Sequence, residues 1–551
     1  MKRYWKTFMA LFLAVVLLTA TRPANDNDNY FAIIKNLDIF ASLYKELNAY
    51  YVDELNPNQL IKTGIDAMLS SLDPYTNYIP ADKIETYRTM TTGEYGGIGA
   101  LVQRVDGVNT VLMCYEGYPA EAAGLKIGDQ VLAINGIDLT DKTSEEISTL
   151  MKGQSKSGIK LTVSRTNTPD PFEVTVSRQK ITIKNVPYQG MINEEVGYLK
   201  LTDFTMKAGQ EVKDAVKNLK SQGAKNIIVD LRGNPGGLLQ EAVNISNVFI
   251  PKFKEVVSTK GKFQSKNETY TTINEPVDTE IPLVILTGSS SASASEIVAG
   301  VVQDYDRGVL IGRKTFGKGL VQISRPLSYQ SQLKVTTAKY YIPSGRCIQA
   351  IDYSNRNPDG SVGKIPDSLK VAFKTYGGRV VYDGGGVDPD IAVAKAELSP
   401  IAKSLTSKYL LFHYATKYYY NHEDIGESRE FALTEEEYKQ FVDWVSDKDY
   451  SYETQLEKDI EALIEKAKDE KGSDEVLSNL QQAKKEIADL KSKDLYTHKE
   501  EIRHLLEQDI ASRYFLEKGL IEVSFQYDKD VQAALDLFKD PARYQKILKA
   551  Q

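Results

Sequence analysis

Twice between residues 226 and 302 the chain carries a short apolar stretch into a loop of small residues and then into a helical pattern. Asn226-Ile-Ile-Val-Asp-Leu231 leads through Arg232-Gly-Asn-Pro-Gly-Gly237 to a helix that starts near Leu238. Leu283-Val-Ile-Leu286 leads through Gly288–Glu296 to a helix carrying Ile297, Val298, Val301 and Val302. Strand–loop–helix repeats of this kind argue for an α/β domain, read here as residues 169–397.

That domain cannot account for the whole chain. At about 100–200 residues per domain, 551 residues call for roughly three to five. Residues 25–93 place apolar side chains at helical spacing (Ile33, Ile34, Leu37, Phe40, Leu43), broken by a turn at Leu72-Asp-Pro-Tyr75. They read as an N-terminal helical domain. Residues 94–168 change to short β-branched runs punctuated by glycine, such as Gln130-Val-Leu-Ala-Ile134, and read as a small β-rich domain. Residues 398–551 are helical and highly charged. They read as a separately folded helical extension with no catalytic group, whose apolar faces must meet the core, a second copy of the chain or an adaptor protein.

Lys2, Arg3 and Lys6 precede an uncharged run from Phe8 to Ala20. That run is short for a membrane span, which needs about 20 residues, and fits a secretory signal over residues 1–24. The expected location is therefore export to the periplasm, with inner-membrane anchoring if the signal stays uncleaved. Cys114 and Cys347 could form one disulfide in an exported protein or stand as two separate thiols. A net charge of −7 gives no basic surplus to suggest a nucleic-acid partner.

The four histidines are His413, His422, His498 and His504, so the α/β domain has none. A Ser-His-Asp triad within it is excluded. With two distant cysteines, a zinc site of the His/Cys type is not expected either. No metal or cofactor is called for.

Three segments could carry chemistry without histidine. Gly288-Ser-Ser-Ser-Ala-Ser-Ala-Ser-Glu296 follows a strand and opens a helix, where free N–H groups stabilise developing negative charge. Thr315-Phe-Gly-Lys-Gly-Leu-Val-Gln322 presents a lysine flanked by glycines. Burial disfavours the charged form of a lysine, and a neutral amine can serve as general base to a serine hydroxyl. Asp230-Leu-Arg-Gly-Asn-Pro-Gly-Gly237 could present N–H groups to an oxyanion. Gly312–Lys318 also matches the phosphate-loop spacing, but Gly319 stands where a Ser or Thr must hold magnesium.

Together with Gly385-Gly-Val-Asp-Pro-Asp390, these segments resemble the C-terminal processing peptidases, or tail-specific proteases. The resemblance implies a crotonase-like α/β core with an inserted PDZ domain. It also implies a serine endopeptidase acting on protein or peptide substrates with exposed C-termini or unfolded segments. By the family's 25-residue spacing to the lysine, the nucleophile would be Ser293, with Lys318 as base and Gln322 orienting the amine. The oxyanion donors would be amides of Ala294, Gly236 and Gly237. The β-rich domain resembles a PDZ module, with Tyr95-Gly96-Gly97-Ile98-Gly99 as the loop that captures a terminal carboxylate. The competing expectation is an inactive peptide-binding scaffold on the same fold.

Overall fold

The computed structural model of the chain describes residues 25–357, 360–470 and 473–549. The segment read as an export signal lies outside them. Two compact units form, and the smaller takes its described part from residues 25–78 and Ser324–Val335. It contains helices α1 (Asn25–Tyr50) and α2 (Pro57–Ser70). Asn56 caps α2 by accepting from the amides of Asn58 and Gln59, and Pro57 occupies the first helical turn. The Leu72–Tyr75 break is an Asx turn, with Asp73 Oδ1 accepting from the Tyr75 and Thr76 amides at 2.8 Å. No helix among the described residues is long and apolar enough to cross a membrane.

The larger unit begins at Ile79, so the helix Ile84–Thr92, expected in the N-terminal helical domain, belongs to it and precedes the β-rich domain. Strands Ala100–Val105, Val108–Cys114, Gln130–Ile134, Gly158–Ser164 and Phe172–Ser177 form one sheet in that order. Glu94–Gly97 pairs separately with Gln179–Thr182. The domain therefore runs past the expected boundary at residue 168. Asn167-Thr-Pro-Asp-Pro171 lies in the hairpin connection between the last two strands of this sheet. The next strand alternates buried Val174 and Val176 with exposed neighbours, so its inner face belongs to this core.

The central α/β domain is a six-stranded sheet whose strands lie in chain order. They are β1 (Tyr188–Met191), β2 (Val196–Lys200), β3 (Asn226–Asp230), β4 (Leu283–Thr287), β5 (Val309–Gly312) and β6 (Ile391–Ala392). β1 is antiparallel to β2, and every later neighbour is parallel. Helices α3 (Ala208–Ser221), α4 (Leu239–Phe249) and α5 (Ala294–Asp304) cover one face. Val216, Phe249 and Val298 pack there on Ile227, Val229, Leu283, Ile285 and Leu310.

The opposite face carries the alternate residues Ile228, Val284, Leu286, Val309 and Ile311. Its cover comes from the C-terminal region: Phe525, α7 (Lys529–Phe538) and α8 (Pro541–Ile547) bring Val531, Ala534, Leu537 and Tyr544 against it. This corrects the expectation of a separate appendage. A parallel sheet needs both faces buried, and the chain supplies the second layer more than two hundred residues after the strands it covers. Pro400–Ser407, Leu410–Asn421, Glu435–Val445 and α6 (Lys499–Ser524) do share a core of their own. Yet α6 breaks at Leu516, whose φ of +52° is rare outside glycine, and that side chain packs on the β-rich domain. Cys114 and Cys347 are separate thiols, and burial pushes that of Cys114 up to about 12.

Candidate active site

β3, β4 and β5 are adjacent and parallel, so the loops that follow them leave the same edge of the sheet. Carboxyl ends of parallel strands are where such sheets bind ligands. The three loops are the three segments expected to carry chemistry, with Gly236 and Gly237 on the first, Ser293 on the second and Lys318 on the third.

The serine-rich loop sorts its own hydroxyls. Ser291 and Ser295 are fully buried and committed to structure. Ser291 Oγ donates to Leu231 O at 2.8 Å and accepts from the Gly288 amide, and Ser295 Oγ donates to Asn234 O at 3.0 Å. Ser289 and Ser290 are exposed at the start of the loop, and of Ser291, Ser293 and Ser295 only Ser293 is partly exposed. It is the N-cap of α5 with φ +54° and ψ −114°, a strained conformation for a residue with a side chain. Strain of that kind persists only where neighbours enforce it. Here the Ser293 carbonyl accepts from Tyr340 Oη at 3.1 Å and from the first-turn amides of Glu296 and Ile297.

The central holding group is Glu296, which stands in the serine-rich motif but carries no expected role there. Its carboxylate is fully buried and accepts four hydrogen bonds. Oε2 takes the Ser293 amide at 2.8 Å and the Lys318 amide at 2.9 Å. Oε1 takes Thr315 Oγ1 at 2.5 Å and the Gly317 amide at 2.7 Å. One oxygen thus ties the Ser293 and Lys318 backbones together. Burial pushes the Glu296 carboxyl up to about 6, and the four donors restrain that rise. The legible signal was the serine N-cap with a glutamate three residues on, a capping-box spacing. The same bonds explain why the phosphate-loop spacing is a decoy, since this carboxylate already occupies two of that loop's amides.

The glycine turn is fitted to the serine. A Cβ on Gly236 would lie 2.6 Å from Ala292 O and 2.9 Å from Ser293 Cβ, so only glycine fits there. Its amide donates to Asn234 Oδ1 at 2.8 Å. Of the two expected donors in this turn, Gly236 is therefore already spent, because Asn234 folds back to close the turn. Asn234 also donates to Leu201 O and accepts from the Ala292 amide, stapling turn to serine loop. Ala294 is the first residue of α5, where amides have no partner within the helix.

Under this turn lies a charged cluster. Asp230, fully buried at the end of β3, accepts from Tyr198 Oη at 2.6 Å, Lys200 Nζ at 3.0 Å and the Arg232 guanidinium at 2.7 Å. Burial alone would raise its carboxyl, but the charges of Lys200 and Arg232 outweigh that and hold it well below the usual carboxylate range.

Lys318 is half-buried. Gln322, on the strand Leu320–Pro326, donates to Thr336 Oγ1 at 3.2 Å. Gly385–Asp390 packs behind the lysine loop, with the Val387 amide donating to Thr315 Oγ1 at 2.7 Å. In the β-rich domain, the expected carboxylate loop is shorter than its sequence suggested. Tyr95, Gly96 and Gly97 form a strand, and Gly96 lies hard against Gly153 O. What remains as turn is buried Ile98 and Gly99, the latter with φ +76° against Tyr118.

Residues 195–359 match Peptidase family S41. The chain is 34% identical over 372 residues to the carboxy-terminal-processing protease of Bartonella bacilliformis, covering 67% of this chain and 84% of that one. It belongs to the carboxy-terminal-processing peptidases. A probable CtpA-like serine protease of Staphylococcus aureus is 33% identical over 387 residues, covering 69% of this peptidase and 75% of the relative. Residues 111–165 match a PDZ domain, and residues 401–538 match the C-terminal helical domain of probable PDZ-proteases. Among solved structures, the photosystem II D1 C-terminal processing protease is 24% identical, covers 64% of this peptidase and 92% of that chain, and has a TM-score of 0.34.

Proposed function

We propose that this peptidase is an exported endopeptidase in which Ser293 is the nucleophile and Lys318 the general base. The observation that carries the reading is the shared grip of Glu296 Oε2 on the Ser293 and Lys318 amides. The two neighbouring serines are locked into backbone bonds. In the reaction the neutral Lys318 amine, oriented by Gln322, takes the proton from Ser293 Oγ as that oxygen attacks the scissile carbonyl. Electrons of the carbonyl move onto its oxygen, held by the amides of Ala294 and Gly237. The lysine then protonates the leaving amine, and water, deprotonated by the same lysine, releases the acyl group. The PDZ domain brings the free C-terminus of a protein chain to the site through the turn at Ile98 and Gly99. Residues 1–24 direct export to the periplasm.

Casein hydrolysis by Ser293→Ala, Lys318→Ala, Ser291→Ala and Ser295→Ala tests the assignment, with fluorophosphonate labelling located by mass spectrometry. Loss of turnover in the first two variants and labelling at Ser293 are expected. Normal turnover by Ser293→Ala sinks it. Wild-type protein that binds peptides but cleaves nothing would favour the scaffold reading instead.

A further inference from the structure

Arg232 lies between the glycine turn and the C-terminal helices. Its Nε and Nη2 donate to Asp230 at 3.0 and 2.7 Å. Its Nη1 donates to Asp528 Oδ1 at 2.9 Å and to Asp530 Oδ2 at 2.8 Å. Arg313, which follows β5 and opens the loop to Lys318, donates to the same Asp530 oxygen at 3.2 Å. These groups are shielded: the side chain of Asp530 is 4% exposed and that of Arg232 18%. Asp528 is held in turn, because it is the N-cap of α7 and accepts from the Asp530 and Val531 amides. Both carboxylates sit where a helix favours negative charge.

The arrangement joins two catalytic loops to one rigid helix end. Arg232 stands one residue before Gly233 and four before Gly236, and Arg313 five before Lys318. A planar guanidinium with five fixed donors sets direction as well as distance.

We propose that Asp528 and Asp530 are positioning residues for peptide hydrolysis. Through Arg232 and Arg313 they fix the turn that faces the oxyanion and the loop that carries the base. Only the N-terminal end of α7, and not the packing of the helix on the sheet, then positions the site. This rests on the assignment of Ser293 and its turn made above.

The test uses the full chain and the variants Asp528→Asn, Asp530→Asn and Asp530→Glu. Leu537→Ala serves as a control that loosens the same helix without touching a charge. Folding is read by circular dichroism and thermal midpoint. kcat and KM are measured on an unstructured fluorogenic peptide at a temperature where each variant is folded. Inhibition by a peptide aldehyde, whose adduct with Ser293 places an oxyanion in the turn, is compared with that by the matching alcohol. A misplacement of the turn by a fraction of an ångström should cost at least about tenfold in kcat. The asparagine variants should show that loss with little change in KM, and should weaken the aldehyde about as much while sparing the alcohol. Asp530→Glu should recover part of it, and Leu537→Ala should keep the wild-type kcat. A folded asparagine variant with wild-type kcat overturns the proposal, as does failure of Asp528→Asn to fold, which would make the clamp a folding element alone. Full turnover by Ser293→Ala would be a different failure, that of the nucleophile.

Discussion

Tyr340 Oη donates to the carbonyl of Ser293 at 3.1 Å from a side chain that is 1% exposed. The bond holds the carbonyl of the residue with the strained backbone, whose amide Glu296 holds. Tyr340→Phe removes one donor and leaves the carbonyl its two helix amides, so no buried acceptor is orphaned. The expected loss of stability is about 0.5–1.5 kcal/mol, the net worth of one hydrogen bond. kcat should fall several-fold as Ser293 relaxes. Urea denaturation and peptide kinetics on one preparation check both, and an unchanged kcat would show that Glu296 alone suffices.

Glu296 gives a pH dependence with opposite signs for stability and activity. Its carboxyl is raised to about 6 in the fold, from the ordinary glutamate value of 4.5. The stability it contributes is therefore fully present below 4.5 and is lost as pH rises through 6. At 1.36 kcal/mol per pKa unit, wild type should lose about 2 kcal/mol between about pH 4 and 7 relative to Glu296→Gln, which does not titrate. Activity should rise across the same window, because only the ionised carboxylate accepts all four donors. Denaturation curves of both proteins at several pH values decide this. Parallel curves would remove Glu296 as the titrating group.

Leu537 is fully buried against the sheet face that the C-terminal helices cover. Leu537→Ala should cost about 2–5 kcal/mol, as for other buried leucines. Truncation after residue 398 should yield insoluble protein, because it bares Ile228, Val284, Leu286 and Ile311 at once. A soluble, folded truncation would mean that another layer can cover that face.

Gly99 combines φ +76° with a Cβ position 2.4 Å from Tyr118 Cβ. Gly99→Ala should therefore distort the PDZ turn and abolish peptide binding while the sheet persists. Calorimetry with one apolar-ended peptide should give strong binding to wild type, weak binding when the carboxylate is amidated, and none to Gly99→Ala. Equal affinity for acid and amide would show that this turn does not read chain ends.

The strand–loop–helix pattern was legible because β3 and β4 are continuous apolar runs and their loops are rich in small residues. The choice of Ser293 rests on a spacing to Lys318, and no sequence pattern shows that Ser291 and Ser295 donate to the carbonyls of Leu231 and Asn234. What stayed hidden depends on distance along the chain. Arg232 meets Asp530 across nearly three hundred residues, and no local pattern announces such a pair. The end of the PDZ domain lies past residue 168, and the alternation Phe172-Glu-Val-Thr-Val-Ser177 is the sequence signal for the strand that carries it there. The role of the C-terminal helices was implicit in the strands themselves. Ile227 and Val229 point to one side of the sheet and Ile228 to the other, and the helices α3 to α5 serve only the first.

The placement of α7 and α8 sets an order of events in the making of this enzyme. Ser293 and Lys318 are synthesised long before Val531, Leu537 and Tyr544, by tens of seconds at ordinary ribosomal rates. Until those later residues arrive, the central sheet has one bare face and Arg232 lacks two of its three carboxylates. A nascent or prematurely terminated chain therefore holds Ser293 and Lys318 but not the carboxylates of Asp528 and Asp530 that grip Arg232. If Asp528 and Asp530 position the site as proposed, cleavage has to wait until synthesis has passed the helices that complete the fold.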